Sequence, residues 1–316
     1  MVRTESRRDE ARYRAAERAV WERRGIVPEE HWIEVRDLGI RVRALVHGEG
    51  RPVVFVHGNP TAGGVFVPLA AALPGIRAIV VDRPGCGLSD PMSYDGITPE
   101  GLHESAAAYL EAVILALAGD RADLVGNSAG GMAALVTAAR RPERVHTVVL
   151  EGVPSVEGMR LPWLMRAATV GPVAGVASRH DVKARELKAS LRAMGHGDTL
   201  DSGGVSREDL DYRLAVSRFS DTYRNDLDLL GRAASWRGPR PGWVPRASDL
   251  EAVAAPTLWL TGEHDPFTPP GGVGAWAARM PRATVHVLAG QGHQPWIDDP
   301  EGHAETIARW WESLAA

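Results

Sequence analysis

The stretch Gly126-Asn127-Ser128-Ala129-Gly130, followed at once by Gly131, decides how this chain is read. Ahead of it stands Ala122-Asp123-Leu124-Val125, a short apolar strand pattern; behind it, Met132 to Arg140 is rich in Ala, Leu and Val and reads as a helix. The pattern G-x-S-x-G therefore sits where a strand turns sharply into a helix, the setting of a nucleophile elbow. So tight a turn drives the serine into a strained backbone conformation and leaves no room for Cβ atoms two positions to either side. It holds the Ser128 hydroxyl above the sheet and aims the next backbone N–H, that of Ala129, at any oxyanion formed there. With 34 glycines in the chain, five matching residues also fit an ordinary glycine-rich turn. The flanking strand and helix favour the catalytic reading.

Outward from the elbow, strand and helix patterns alternate. Upstream, Pro52 to Val56 and Ile76 to Val81 are continuous apolar runs, as in parallel strands buried on both faces. Val65 to Leu73 and Glu100 to Leu117 read as helices between strands. His31 to Asp37 and Ile40 to Val46 form a hairpin signal around Asp37-Leu38-Gly39. Downstream, Val145 to Leu150, Thr257 to Leu260 and Thr284 to Leu288 read as strands, with helices near Val273 to Met280 and Ala304 to Leu314. The expectation is an α/β fold, a mostly parallel sheet flanked by helices, with sites at the carboxyl ends of its strands.

Two segments stand apart. Residues 1–30 form a charged arm whose helix, Arg7 to Arg24, carries Tyr13, Ala16, Val20 and Trp21 on one narrow face. It is expected to pack lightly on the body or against another copy, a candidate surface for a homo-oligomer. Residues 155–250 interrupt the core (31–154 and 251–316) with helical patterns at Leu161 to Ala168, Val182 to Met194, Arg207 to Phe219 and Asn225 to Ala234. So long a stretch is an inserted helical cap rather than a loop.

Composition bounds the function. A net charge of −4 and a pI near 6.3 give no general attraction to nucleic acid or to anionic membrane. The single cysteine, Cys86, excludes an intrachain disulfide and a cysteine-based metal site. No H-x-x-x-H spacing is present, so no metal or other cofactor is expected. Met1 to Glu10 is charged with both signs and lacks an apolar centre, unlike a secretory signal, and the expected location is cytoplasmic.

Further motifs close the predicted strands: His57-Gly58-Asn59-Pro60, Asp82-Arg83-Pro84-Gly85-Cys86-Gly87-Leu88-Ser89-Asp90, Gly262-Glu263-His264-Asp265-Pro266 and Gly292-His293. With the elbow, and in the order Ser128, Asp265, His293, the chain resembles an α/β-hydrolase with a helical cap. The branch is that shared by esterases, haloalkane dehalogenases, epoxide hydrolases and carbon–carbon bond hydrolases. The motifs run from about residue 50 to the C-terminus and leave the N-terminal helix uncovered.

Chemistry assigns the expected roles. A serine hydroxyl needs a base, and His293 can take its proton and return it to the leaving group. Asp265 would fix the imidazole tautomer, while the backbone N–H groups of Asn59 and Ala129 would hold the oxyanion. The resemblance makes His57 a brace for the oxyanion loop and offers Glu151, after the strand ending at Leu150, as an alternative acid. Glu263 is a third carboxylate nearby. Trp163, Met165, Trp236, Trp243 and Trp296 are candidate pocket walls, pointing to a small apolar substrate. Dehalogenases and epoxide hydrolases need a carboxylate nucleophile, which Ser128 is not. The leading expectation is hydrolysis of an ester, lactone or thioester. Carbon–carbon bond hydrolysis, amide hydrolysis, acyl transfer and a slow-turnover ligand receptor are the alternatives on the same triad.

Overall fold

A computed structural model of the chain describes residues 9–170, 180–269 and 271–315. Strands β1 (Glu29–Val35) and β2 (Ile40–His47) form the expected antiparallel hairpin, closed at Gly39 with φ 63°. They lead into β3 (Arg51–Val56), β4 (Ile76–Val81), β5 (Ala122–Gly126), β6 (Val145–Glu151), β7 (Thr257–Gly262) and β8 (Ala283–Leu288). The eight strands lie in the order β1-β2-β4-β3-β5-β6-β7-β8. β2 meets β4 antiparallel, and every later pairing is parallel.

Spatial and chain order part at β3. From β3 the chain steps outward to β4, then returns to β5 on the other side of β3, which makes the carboxyl ends of β3 and β5 the switch point of the sheet, where such folds place their ligands. Register places Val56 opposite Gly126, and the Asn127 N–H donates to the Val56 carbonyl at 3.1 Å. The His57 loop and the elbow thus begin side by side.

The central strands are mostly apolar because both their faces are covered. Val54, Leu124, Val148 and Trp259 pack on one side with Leu110 of α3 (Pro99–Leu117) and Leu135 of α4 (Ala129–Arg140). Phe55, Val125, Val149 and Leu258 pack on the other with α1 (Glu10–Glu22), α2 (Val67–Ala72) and the final helix α12 (Pro300–Ala315), through Trp21, Leu69 and Ile307. Each fully buried side chain of this kind stabilises the fold by about 1.5–3 kcal/mol.

Between β6 and β7 lie α5 (Trp163–Ala168), α6 (Ala184–Ala193), α7 (Gly197–Asp201), α8 (Arg207–Phe219), α9 (Thr222–Ala233) and α10 (Ala247–Glu251). Four of these fall on the expected helical patterns. Between α9 and α10 lies a short antiparallel ribbon, Ala234–Ser235 against Gly238–Pro239. The helix expected near Val273 to Met280 shortens to α11 (Gly274–Ala277). No helix among the described residues is long and apolar enough to cross a membrane.

The N-terminal helix departs from expectation. It starts at Glu10, capped by the Asp9 carboxylate on the Arg12 N–H; Arg7, where the pattern begins, lies outside the described residues. Rather than packing lightly, it buries Tyr13, Val20 and Trp21 against β2 and α8 within the same chain. Its docked face is wider than the apolar pattern because Glu17, which reads as a solvated charge, is buried against Arg43 at 2.6 Å.

Candidate active site

Ser128 sits at φ 52°, ψ −115°, the one non-glycine residue with positive φ among those described. Such a conformation is costly and is kept only where its surroundings fix it. The surroundings are visible. A Cβ on Gly126 would fall 2.7 Å from the Gly130 carbonyl oxygen, and one on Gly130 would collide with the Val56 carbonyl. Strand, helix and β3 approach too closely for side chains at either position. A Cβ on Gly58 would lie 2.9 Å from the Cβ of Ser128, so the His57 loop rests directly on the elbow.

Asp265 follows β7 and His293 follows β8. The carboxylate Oδ2 of Asp265 lies 2.8 Å from Nδ1 of His293 and also accepts the Val153 N–H at 2.9 Å; Oδ1 accepts the Phe267 N–H at 2.9 Å. Burial pushes this carboxyl up, but His293 and the two backbone donors outweigh it, and its pKa lies below the usual carboxylate range. A carboxylate at Nδ1 places the imidazole proton there and leaves Nε2 to accept. The ring of Phe267 packs 4.3 Å from the imidazole, centroid to centroid.

The two halves of this arrangement are joined by Asn127. Its side-chain amide donates to the backbone carbonyls of Glu151, at 2.5 Å, and of His293, at 3.0 Å. From the insertion, Met194 accepts the His293 N–H at 2.8 Å, and buried His196 holds Asp298 at 2.8 Å while Asp298 accepts the Gly292 N–H. The loop bearing His293 is fixed from the core and from the insertion together.

On the other side of Ser128, both nitrogens of His57 face backbone: Nδ1 lies 3.0 Å from the Gly58 carbonyl, and Nε2 accepts the Arg83 N–H at 3.0 Å. Burial, with the Arg83 charge beside it, pushes its pKa well down, so the ring is neutral. Arg83 also donates to the Asn59 side chain at 2.5 Å and pairs with buried Asp226 of α9 at 3.0 Å. The N–H of Ala129 opens α4 beside the serine.

The alternative acids point elsewhere. Glu151 is buried against His303 of α12, 3.0 Å from its Nδ1, while Nε2 of His303 meets the Gln291 side chain at 2.7 Å. Exposed Glu263 accepts the Gly290 N–H at 3.1 Å. Of the candidate pocket walls, Trp296 requires correction. It is fully buried, stacked on Phe66 at 4.3 Å, and its indole N–H bonds the Val65 carbonyl, which places it in the core beneath α2. Trp163 is 69% exposed and Trp236 57% exposed, while Met165 and Trp243 are half-buried against the core. Sequence reading missed Phe267, the His303–Glu151 and His196–Asp298 pairs, and the Arg83–Asp226 bridge. Of these residues Arg83 had a signal in the quoted Asp82-Arg83-Pro84-Gly85 motif, and Glu151 in its place after the strand ending at Leu150.

Comparison with known proteins identifies the fold and the family. A family model described as alpha/beta hydrolase fold matches residues 51–300. A pimeloyl-[acyl-carrier protein] methyl ester esterase of Xanthomonas campestris pv. campestris is 30% identical, over 83% of this chain and 94% of its own length. A 2-hydroxy-6-oxo-6-phenylhexa-2,4-dienoate hydrolase of Burkholderia cepacia is 31% identical, over 78% of this chain and 82% of its own. Among solved structures, carboxylesterase CesB of Bacillus subtilis superposes with a TM-score of 0.71 at 18% identity, over 94% of this chain and 96% of that one.

Proposed function

Since this chain belongs to the α/β-hydrolase fold family and is a hydrolase, we propose that it cleaves the carboxylic ester, lactone or thioester of a small apolar substrate through an acyl-enzyme on Ser128. The contact between His293 and Asp265, 2.8 Å from Nδ1 to Oδ2, carries the reading. The strained serine, tied through Asn127 to the His293 backbone, supports it. So does the likeness to the Xanthomonas methyl ester esterase across nearly all of that protein.

In this reaction Ser128 Oγ attacks the acyl carbon as Nε2 of His293 takes the hydroxyl proton. The carbonyl electron pair moves to oxygen, where the N–H groups of Asn59 and Ala129 receive it; such donors are each worth about 3–4 kcal/mol. Asp265 stabilises the imidazolium. The bond to the leaving oxygen or sulfur breaks, the imidazolium returns the proton, and the acyl-enzyme remains. Water then repeats the sequence with His293 as base, which releases the acid and restores Ser128. The 155–250 segment acts as the cap, since its backbone bonds both the Asp265 loop, at Arg160 to Phe267, and the His293 loop, at Met194.

Carbon–carbon bond hydrolysis on the same residues is the second reading, favoured by the Burkholderia relative. Chromogenic esters of graded acyl length, set against a dienol ketone, separate the two. Faster ester turnover is expected, and turnover of the ketone alone would reverse the order. A fluorophosphonate probe should label the wild type and not Ser128→Ala; equal labelling of both removes Ser128 from the mechanism.

A further inference from the structure

The N-terminal helix α1 lies outside the matched family region, which begins at residue 51. Yet two buried chains of hydrogen bonds run from it to one short segment. Gly63 and Gly64 follow the loop that carries Asn59. The Gly63 N–H donates to Asp82 Oδ1 at 2.9 Å, and the Gly64 N–H to the Tyr212 hydroxyl at 3.1 Å. Tyr212, on α8, lies against Gly64 so closely that a Cβ there would fall 2.6 Å from its ring.

Each of these two acceptors is in turn held by α1. The Tyr212 hydroxyl lies 3.0 Å from that of Tyr13. The second carboxylate oxygen of Asp82 accepts from Arg43 at 3.1 Å, and Arg43 is gripped by both carboxylate oxygens of Glu17, at 3.0 and 2.6 Å. Tyr13 and Glu17 stand four residues apart, on one face of the helix. All five side chains, Tyr13, Glu17, Arg43, Asp82 and Tyr212, are buried. Buried polar groups held this completely are rigid, because any displacement leaves a donor or charge without a partner.

Resting on the hydrolase reading above, we propose that α1 is a positioning element of the catalytic site: Tyr13 and Glu17, acting through Tyr212 and through Arg43 and Asp82, set the loop whose Asn59 N–H receives the oxyanion. A donor of this kind acts at the oxyanion and not at the ground-state carbonyl, so its displacement lowers kcat and leaves KM nearly untouched.

The test compares Tyr13→Phe, Glu17→Gln and Tyr212→Phe, singly and as the pair Tyr13→Phe/Tyr212→Phe, in the full chain. The readouts are kcat and KM for a chromogenic ester and inhibition by a boronic acid, with Ser128→Ala as control. Each single variant should lose about tenfold in kcat, a part of the loss from deleting a donor outright. KM should stay within about twofold, and boronate affinity should fall in step with kcat. Tyr13→Phe should cost nothing further in the Tyr212→Phe background. Unchanged kcat in Tyr13→Phe and Glu17→Gln, with only melting temperature lowered, overturns the proposal. Should Glu17→Gln not fold, Tyr13→Phe, which removes one hydroxyl, decides alone. Full activity in Ser128→Ala would instead overturn the hydrolase reading, independently of α1.

Discussion

The side-chain amide of Asn127 donates a 3.0 Å hydrogen bond to the backbone carbonyl of His293, so the residue before the serine holds the backbone of the histidine that would serve it. The same amide meets the Glu151 carbonyl, and Asn127 is fully buried. Replacing it by alanine strands two buried acceptors, at about 1–3 kcal/mol each. Asn127→Ala should lower the melting temperature by at least about 4 °C and reduce kcat even where the protein stays folded. A variant with wild-type kcat would show that the His293 loop holds its place without Asn127.

Two buried carboxylates compete on paper for the imidazole, and the geometry separates them. Asp265 touches Nδ1 of His293, whereas Glu151 touches His303. Asp265→Asn should cost on the order of 10⁴ in turnover, because the amide no longer selects the productive tautomer. Glu151→Gln should cost far less turnover and act mainly on stability. Measured side by side in folded protein, a larger loss of kcat in Glu151→Gln would overturn the assignment of Asp265.

The Glu151–His303 pair also predicts a pH dependence of stability. Burial lowers the pKa of His303, but Glu151 beside it more than compensates, and the folded-state value lies above the ordinary one. A group raised on folding stabilises most at pH below its unfolded pKa of about 6.5, and that contribution fades as pH rises through the folded value. The melting-temperature gap between the wild type and His303→Gln should therefore be widest in mildly acidic buffer and narrow toward alkaline pH. A gap that is constant or grows with pH would contradict an ion-paired His303.

What was legible in the sequence is what local pattern encodes. The elbow, the loops after β3, β7 and β8, and the alternation of strands and helices each occupy a few consecutive residues, and their glycines and apolar runs have a local physical cause. Glu17 with Arg43, His196 with Asp298, and Glu151 with His303 pair across long separations in the chain. Glu17 and Asp298 alone read as surface, and Glu151 as a candidate partner of His293, because burial of a charge depends on a partner that the neighbouring residues do not reveal. Trp296 was misread for the related reason that closeness to His293 in sequence does not fix a side chain's direction. After the turn at Pro295, its ring points under α2 rather than toward the serine.

The bridge between Arg83 and Asp226 ties the insertion to the loop after β4, and through Arg83 to the Asn59 side chain. Deleting residues 155–250 would take Asp226 from Arg83, Tyr212 from Gly64 and Met194 from the His293 N–H. Such a variant should lose labelling by a fluorophosphonate, and not merely selectivity between substrates. Point variants isolate the cause. Asp226→Asn keeps the shape but leaves the buried guanidinium without its counter-charge, a loss of about 3–5 kcal/mol. Replacing the pair by apolar residues, Arg83→Met with Asp226→Leu, removes the stranded charge and should recover most of that stability, since apolar substitutes for buried ion pairs are often neutral or better. It should not recover kcat. The guanidinium also donates to the Asn59 side chain, and its loss frees the loop that would hold the oxyanion. Melting temperature and kcat of the double variant, read together, decide the point. Recovery of both would mean that the pair serves folding alone.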